Sequence, residues 1–107
     1  MNDFKVNEPL MLFEIGKAMS EGRHLKAAVE GWWKIDPERV SDYRLVLGKR
    51  SWKIACAFRP KQGSWRQRDD GRWFFDSDYA MDVWRDYVGK DVPIEYRTRS
   101  PVQYLEP

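Results

Sequence analysis

Cysteine is almost missing from this chain: Cys56 is the only one in 107 residues. A single thiol cannot close an internal bridge, so a secreted, disulfide-held scaffold is excluded. Histidine is as scarce, with His24 alone, and one cysteine plus one histidine cannot supply the three or four soft or imidazole ligands of a zinc site. No apolar run approaches the ~20 residues of a membrane span. The opening MNDFKVNEP lacks the basic start and apolar block of a secretory signal. These absences point to a cytoplasmic protein with no membrane partner. There is no glycine-rich phosphate loop, no internal repeat, no low-complexity stretch and no linker. The expectation is one domain over residues 1–107, since a second core would have too little surface to bury.

Aromatic residues and segregated charge are what the chain does have. Six Trp, five Tyr and five Phe are more than one small core readily takes in, so some must face a surface, a groove or an interface. The net charge of +2 conceals an asymmetry. From Arg44 to Arg72, nine Lys and Arg oppose only Asp69 and Asp70, a local balance of +7. From Asp76 to Glu95, six acids oppose Arg85 and Lys90. Such segregation creates a local field, or it lets opposite faces pair with one another.

Periodicity supplies the elements. Leu10 to Ile15 reads as a strand, punctuated by Gly16 and by residues 20–22. His24 to Trp32 reads as a short helix, with Leu25, Ala28, Val29 and Trp32 at helical spacing. Asp36-Pro37-Glu38 signals a helical turn over 37–42. Tyr43, Leu45 and Leu47 alternate, as do Trp52, Ile54, Cys56 and Phe58, which predicts a hairpin of 43–48 with 51–59. A second hairpin is expected around Asp69-Asp70-Gly71, joining 64–68 to 72–76. Asp76-Ser77-Asp78 then caps a helix over 78–88, with Ala80, Val83, Trp84, Tyr87 and Val88 as its stripe and Gly89 after it. The tail gives two short strands, 92–97 and 102–105. The expected fold is α+β: an antiparallel sheet of about five strands, able to curl into a half-barrel, with two or three short helices on one side.

The order of punctuation resembles a skeleton found in a group of small prokaryotic domains. It runs Gly31-Trp32-Trp33-Lys34-Ile35, Pro37-Glu38-Arg39, Ala57-Phe58-Arg59-Pro60, Trp65 and Gly71-Arg72-Trp73-Phe74-Phe75. Tyr87-Val88-Gly89-Lys90-Asp91-Val92 and Ser100-Pro101-Val102-Gln103-Tyr104 complete it. The resemblance spans about residues 10–105 and departs where Asp76 stands in place of a glycine. It implies a compact fold and no particular activity. The expected sheet also loosely resembles PUA- and ASCH-type RNA-binding barrels, an architectural likeness.

No reaction is named by these residues, and no cofactor. A helix start accounts for His24, and a core thiol accounts for Cys56 on the Trp52/Ile54/Phe58 face. A turn and a helix cap account for Asp69-Asp70 and for Asp76 and Asp78. Binding is the expected mode. Arg50, Lys53, Arg59, Arg66, Arg68 and Arg72 are interleaved with indoles; the cations suit phosphates and the rings suit bases. Trp65, beside the second turn, is the expected stacking residue. The face carrying Lys53, Ala55, Ala57 and Arg59 admits two readings, a shallow groove or the seat of a helix bearing Trp84. Binding of nucleic acid or of a nucleotide is thus the leading reading, a Trp-lined pocket for a small nucleotide being one form of it. The other is a protein-interaction module docking on a larger partner, since Trp, Tyr and Arg also compose interface hot spots.

Overall fold

The computed structural model describes residues 4–107. The first three residues of the MNDFKVNEP stretch lie outside them. Among the described residues the fold is α+β, with three short α-helices and two sheets that do not close. The strands are β1 (Leu10–Glu14), β2 (Gly31–Trp33), β3 (Val46–Arg50), β4 (Lys53–Pro60), β5 (Arg66–Gln67), β6 (Trp73–Phe74), β7 (Ser77–Tyr79) and β8 (Val102–Leu105). The helices are α1 (Gly16–Ser20), α2 (Leu25–Glu30) and α3 (Trp84–Tyr87).

The larger sheet has the order β7-β4-β3-β1-β8. It is mixed rather than antiparallel, because β1 runs parallel to β3 (Met11 opposite Val46, Leu12 opposite Leu47). The reason is connectivity. Between β1 and β3 lie two helices and a strand, long enough to carry the chain across the sheet and bring it back in the same direction. The smaller sheet, β2-β6-β5, is antiparallel.

Layers cover both faces of the larger sheet, where one covered face was expected. One core gathers Met11, Phe13, Val29, Trp33, Val46, Cys56, Phe58 and Phe75. The other gathers Leu10, Leu12, Leu45, Leu47, Ile54, Ala57, Ala80 and Tyr87. The near-continuous apolar runs LMLFEI and LVL thus mark strands buried on two sides.

The first hairpin is shifted from the expected 43–48/51–59 pairing. Its turn is Ser51-Trp52, both at positive φ (54° and 63°), and Arg50 pairs with Lys53 across it. Gly48 sits inside β3, where a Cβ would come within 2.7 Å of Cys56 Sγ and 2.9 Å of Ile15 Cδ1. The register slips between Gly48 and Lys49, leaving Ala55 as an extra residue on β4. This bulge reverses the alternation: Cys56 and Phe58 enter one core while Ile54 enters the other. Ala57 is buried with Ala80 and Tyr87, which makes that stretch a seat for the segment around α3.

The 78–88 helix is replaced by β7, a turn and the single turn of α3. The free edge of β4 captures Ser77–Tyr79, pairing Phe58 with Tyr79 and Pro60 with Ser77, and Ala80 N–H donates to Ala57 O at 3.0 Å. The apolar stripe still faces inward, with Trp84 against both cores. Residues 94–96 form a 3₁₀ turn in place of the expected strand 92–97, whereas β8 falls at 102–105.

Candidate functional site

The site is built where α1, α2, β2 and the β5–β6 turn approach one another. Helix α2 starts on His24, whose Nδ1 accepts from Ala27 N–H at 3.4 Å. It ends as the chain straightens at Gly31 (φ −172°) into β2. Gly31 faces β6 closely, since a Cβ there would stand 3.1 Å from Phe74 Cβ. From Gly31 the alternation is that of a strand. Trp33 turns inward, donates Nε1–H to Val29 O at 2.7 Å, and stacks at 4.4 Å on Phe13. Trp32 turns outward and is 44% exposed.

Two guanidinium groups lie over the Trp32 ring, Arg23 at 4.3 Å and Arg68 at 4.0 Å. Arg23 is anchored by carbonyls: it donates to Gly31 O at 2.7 Å and to Ala27 O. Burial pulls its pKa below the ordinary arginine value; Glu21 opposes that shift and the Arg68 cation adds to it. Arg68 comes from the β5–β6 turn. There Arg68 N–H donates to Arg72 O at 2.7 Å, Arg72 N–H donates to Asp70 Oδ1 at 3.0 Å, and Gly71 takes φ +87°. A three-residue loop closing on a left-handed glycine is a favoured hairpin connection, and it sets Arg68 and Arg72 side by side.

Together these elements line a cleft of about 640 Å³. Lys17, Arg23, Lys34, Arg68 and Arg72 reach it against Glu14, Glu21 and Asp70. The Glu14 charge is already answered: Oε2 accepts from Lys49 Nζ at 2.7 Å and Oε1 accepts from Gly16 N–H at 3.0 Å. Lys49 itself is only 2% exposed and lies 3.7 Å from the Trp52 ring centre. The cleft is therefore cationic, with an aromatic plane at its side.

Of the residues singled out in the sequence, Arg68 and Arg72 line this cleft, and the others stand elsewhere. Arg59 is fully engaged, donating to Asp82 (2.7 Å), Glu8 (2.8 Å) and Arg44 O (3.0 Å). Its hydrogen bonds to Glu8 and Asp82 raise its pKa, and the Arg59 contact holds the Asp82 carboxyl below its ordinary value. Lys53 pairs with Asp91 at 3.2 Å. Arg66 pairs with Asp76 at 3.2 Å and lies over Phe74. Arg50 ends β3, its side chain close to Gly16. Trp65 is half-buried, packs on Phe75 at 4.4 Å, and lines a separate depression of about 470 Å³ with Tyr43, Arg44 and Lys61.

Sequence reasoning does not reach Trp32, Arg23, Lys17 and Lys34 as site residues, because Trp32 also fits a helical stripe with Leu25, Ala28 and Val29, whereas it lies in β2. The available signal was Gly31-Trp32-Trp33-Lys34 read with period two after a helix-ending glycine.

Among the described residues, no three His, Cys, Asp or Glu side chains gather as a metal site. Burial pushes the Cys56 thiol up to about 12, against a lowering hydrogen bond from the Gly48 backbone, so the buried thiol is protonated at neutral pH and inert as a nucleophile. No helix among the described residues is long and apolar enough to cross a membrane. No family model, curated protein or solved structure matches this chain.

Proposed function

We propose that the protein is a cytoplasmic binding domain for nucleic acid or a nucleotide, and that the cleft beside Trp32 is where it binds. One observation carries the reading: an outward indole with Arg23 and Arg68 over its ring, in a cleft where five cations outnumber three carboxylates. A guanidinium stacked on an indole can keep its N–H edge for phosphate oxygens, and the fork geometry of Arg suits two oxygens at once; Arg68 is so placed, whereas Arg23 already donates to the Gly31 and Ala27 carbonyls. The cleft volume lies within the range usual for small-ligand sites, ~300–1,000 Å³.

Tryptophan fluorescence tests the reading, with single-stranded and duplex oligonucleotides and common nucleotides titrated at two salt concentrations. The expected result is a change on binding that weakens as salt rises, and that falls about ten-fold or more in an Arg68→Ala/Arg72→Ala protein. No change at ~100 μM ligand in low salt defeats the proposal, since even non-specific nucleic-acid binding registers there.

A protein-docking role is favoured by a different observation. Tyr79 (55% exposed) and Met81 (71%) stand out from the outer strand β7 and the turn after it. An aromatic and apolar contact of that kind is insensitive to salt, so the same titrations separate the two readings.

A further inference from the structure

We infer that the cleft takes an unpaired base carrying a phosphate, and that the base enters by replacing the Arg68 guanidinium on Trp32. This rests on the nucleotide-binding reading above. The two cations over the indole are held very differently. Arg23 is tied to the carbonyls of Ala27 and Gly31 at the end of α2. Among the described residues the Arg68 guanidinium has one charged partner, Asp70, at 3.7 Å across an open surface, too long for a hydrogen bond. An exposed cation–aromatic contact is weak, and a base offers the ring a wider plane to stack on. The strand that carries the ring is held, because Gly31 and Trp33 on either side of Trp32 are buried.

Once displaced, Arg68 is beside the incoming phosphate. Arg72 is there too, and its side chain has no ion-pair partner among the described residues. Arg68 thus serves twice, shielding the indole until a base arrives and then answering the charge that the base brings. A base inside a duplex has both faces stacked and cannot offer one to Trp32, which is why the ligand is unpaired.

Adenosine, AMP, a single-stranded oligonucleotide and its duplex, titrated into wild type, Arg68→Ala and Arg68→Lys, test the exchange. Far-UV circular dichroism and the urea midpoint verify that each variant is folded, as expected for a change in an exposed turn. Arg68→Ala should bind adenosine about two- to five-fold tighter, since no cation has to be displaced. It should bind AMP about ten-fold more weakly, since a charged contact is lost. Arg68→Lys should regain much of the AMP affinity while keeping the gain for adenosine, because an ammonium answers phosphate but stacks poorly. Wild type should prefer the single strand to the duplex. If wild type binds AMP but Arg68→Ala shows no gain for adenosine, the exchange is wrong and the nucleotide-binding reading stands. Equal affinity for duplex and single strand likewise overturns the exchange alone. A wild type that binds neither AMP nor oligonucleotide removes both.

Discussion

The two hairpins share one strongly basic segment and put its charge to opposite uses. In β3–β4 both faces are covered and three of the four cations are engaged: Lys49 with Glu14, Lys53 with Asp91, Arg59 with Glu8 and Asp82. In β5–β6 each strand is two residues long and the cations lie out on the surface. Arg68 rests on an indole, and Arg66 shares an exposed pair with Asp76. Charge counted along a segment measures what is present; pairing measures what is left for a ligand. The first hairpin spends most of its charge on holding elements together, and the second keeps Arg68 and Arg72 at the cleft.

The contrast is sharpest in the core. Phe58→Ala in β4 should cost about 3–5 kcal/mol, as for a fully buried aromatic. Phe74→Ala in β6, where the ring is half-buried, should cost about 1 kcal/mol. Urea midpoints for the two proteins decide the matter, and comparable losses would mean that the small hairpin is as much a part of the core as the large one.

Arg59→Met probes the charge side of the same comparison, with an expected loss of about 1 kcal/mol at neutral pH. The direction with pH follows from Asp82, whose carboxyl is held low by Arg59. A depressed carboxylate contributes its full stabilisation above the ordinary range of ~4 and loses it as pH falls through the lowered value. Wild type should therefore lose stability on that acid limb, and Arg59→Met should lose less. Parallel acid limbs, measured by thermal melts from neutral pH to pH ~2, would show that Arg59 contributes nothing through Asp82.

The smallest expected effect lies in the turn of the first hairpin. Ser51 and Trp52 both hold positive φ without being glycine, a conformation that asparagine tolerates better than serine. Ser51→Asn should raise stability by about 0.5 kcal/mol, read as a higher urea midpoint. A lower midpoint would mean that serine is making a contact the turn needs.

Those same residues show why some of the fold was legible and some was not. β1, β8, α2 and the Asp69-Asp70-Gly71 turn follow from local pattern, because alternation, helical spacing and turn chemistry act within a few residues. The Ser51-Trp52 turn did not, since Gly48 looks like a turn glycine and is instead the residue small enough to lie against Cys56 and Ile15. That is a tertiary fact. The Ala55 bulge reversed which alternating residues share a core, and no local signal marks it. Segment 77–79 went to a sheet edge, although its caps suit a helix, because β4 had an unpaired edge to offer. For the site, Arg68 and Arg72 were legible as turn-flanking cations. Trp32 and Arg23 were not, because their meeting with Arg68 depends on the second sheet, which pairs β2 with β6 across the chain.

The placement of β1 bears on how the chain reaches this structure. β1 is formed near the beginning of the sequence, yet it lies between β3 and β8, with Leu10 opposite Leu105. One of its two hydrogen-bonding edges cannot be satisfied until the other end of the chain docks. Topologies dominated by such distant pairings fold on the millisecond-to-second scale rather than in microseconds. In the interval, LMLFE is an apolar strand with an open edge, the kind of segment that pairs with another chain if concentration permits. Refolding yield should consequently fall with protein concentration more steeply than native-state solubility does, and β8 is the strand whose timely arrival prevents it.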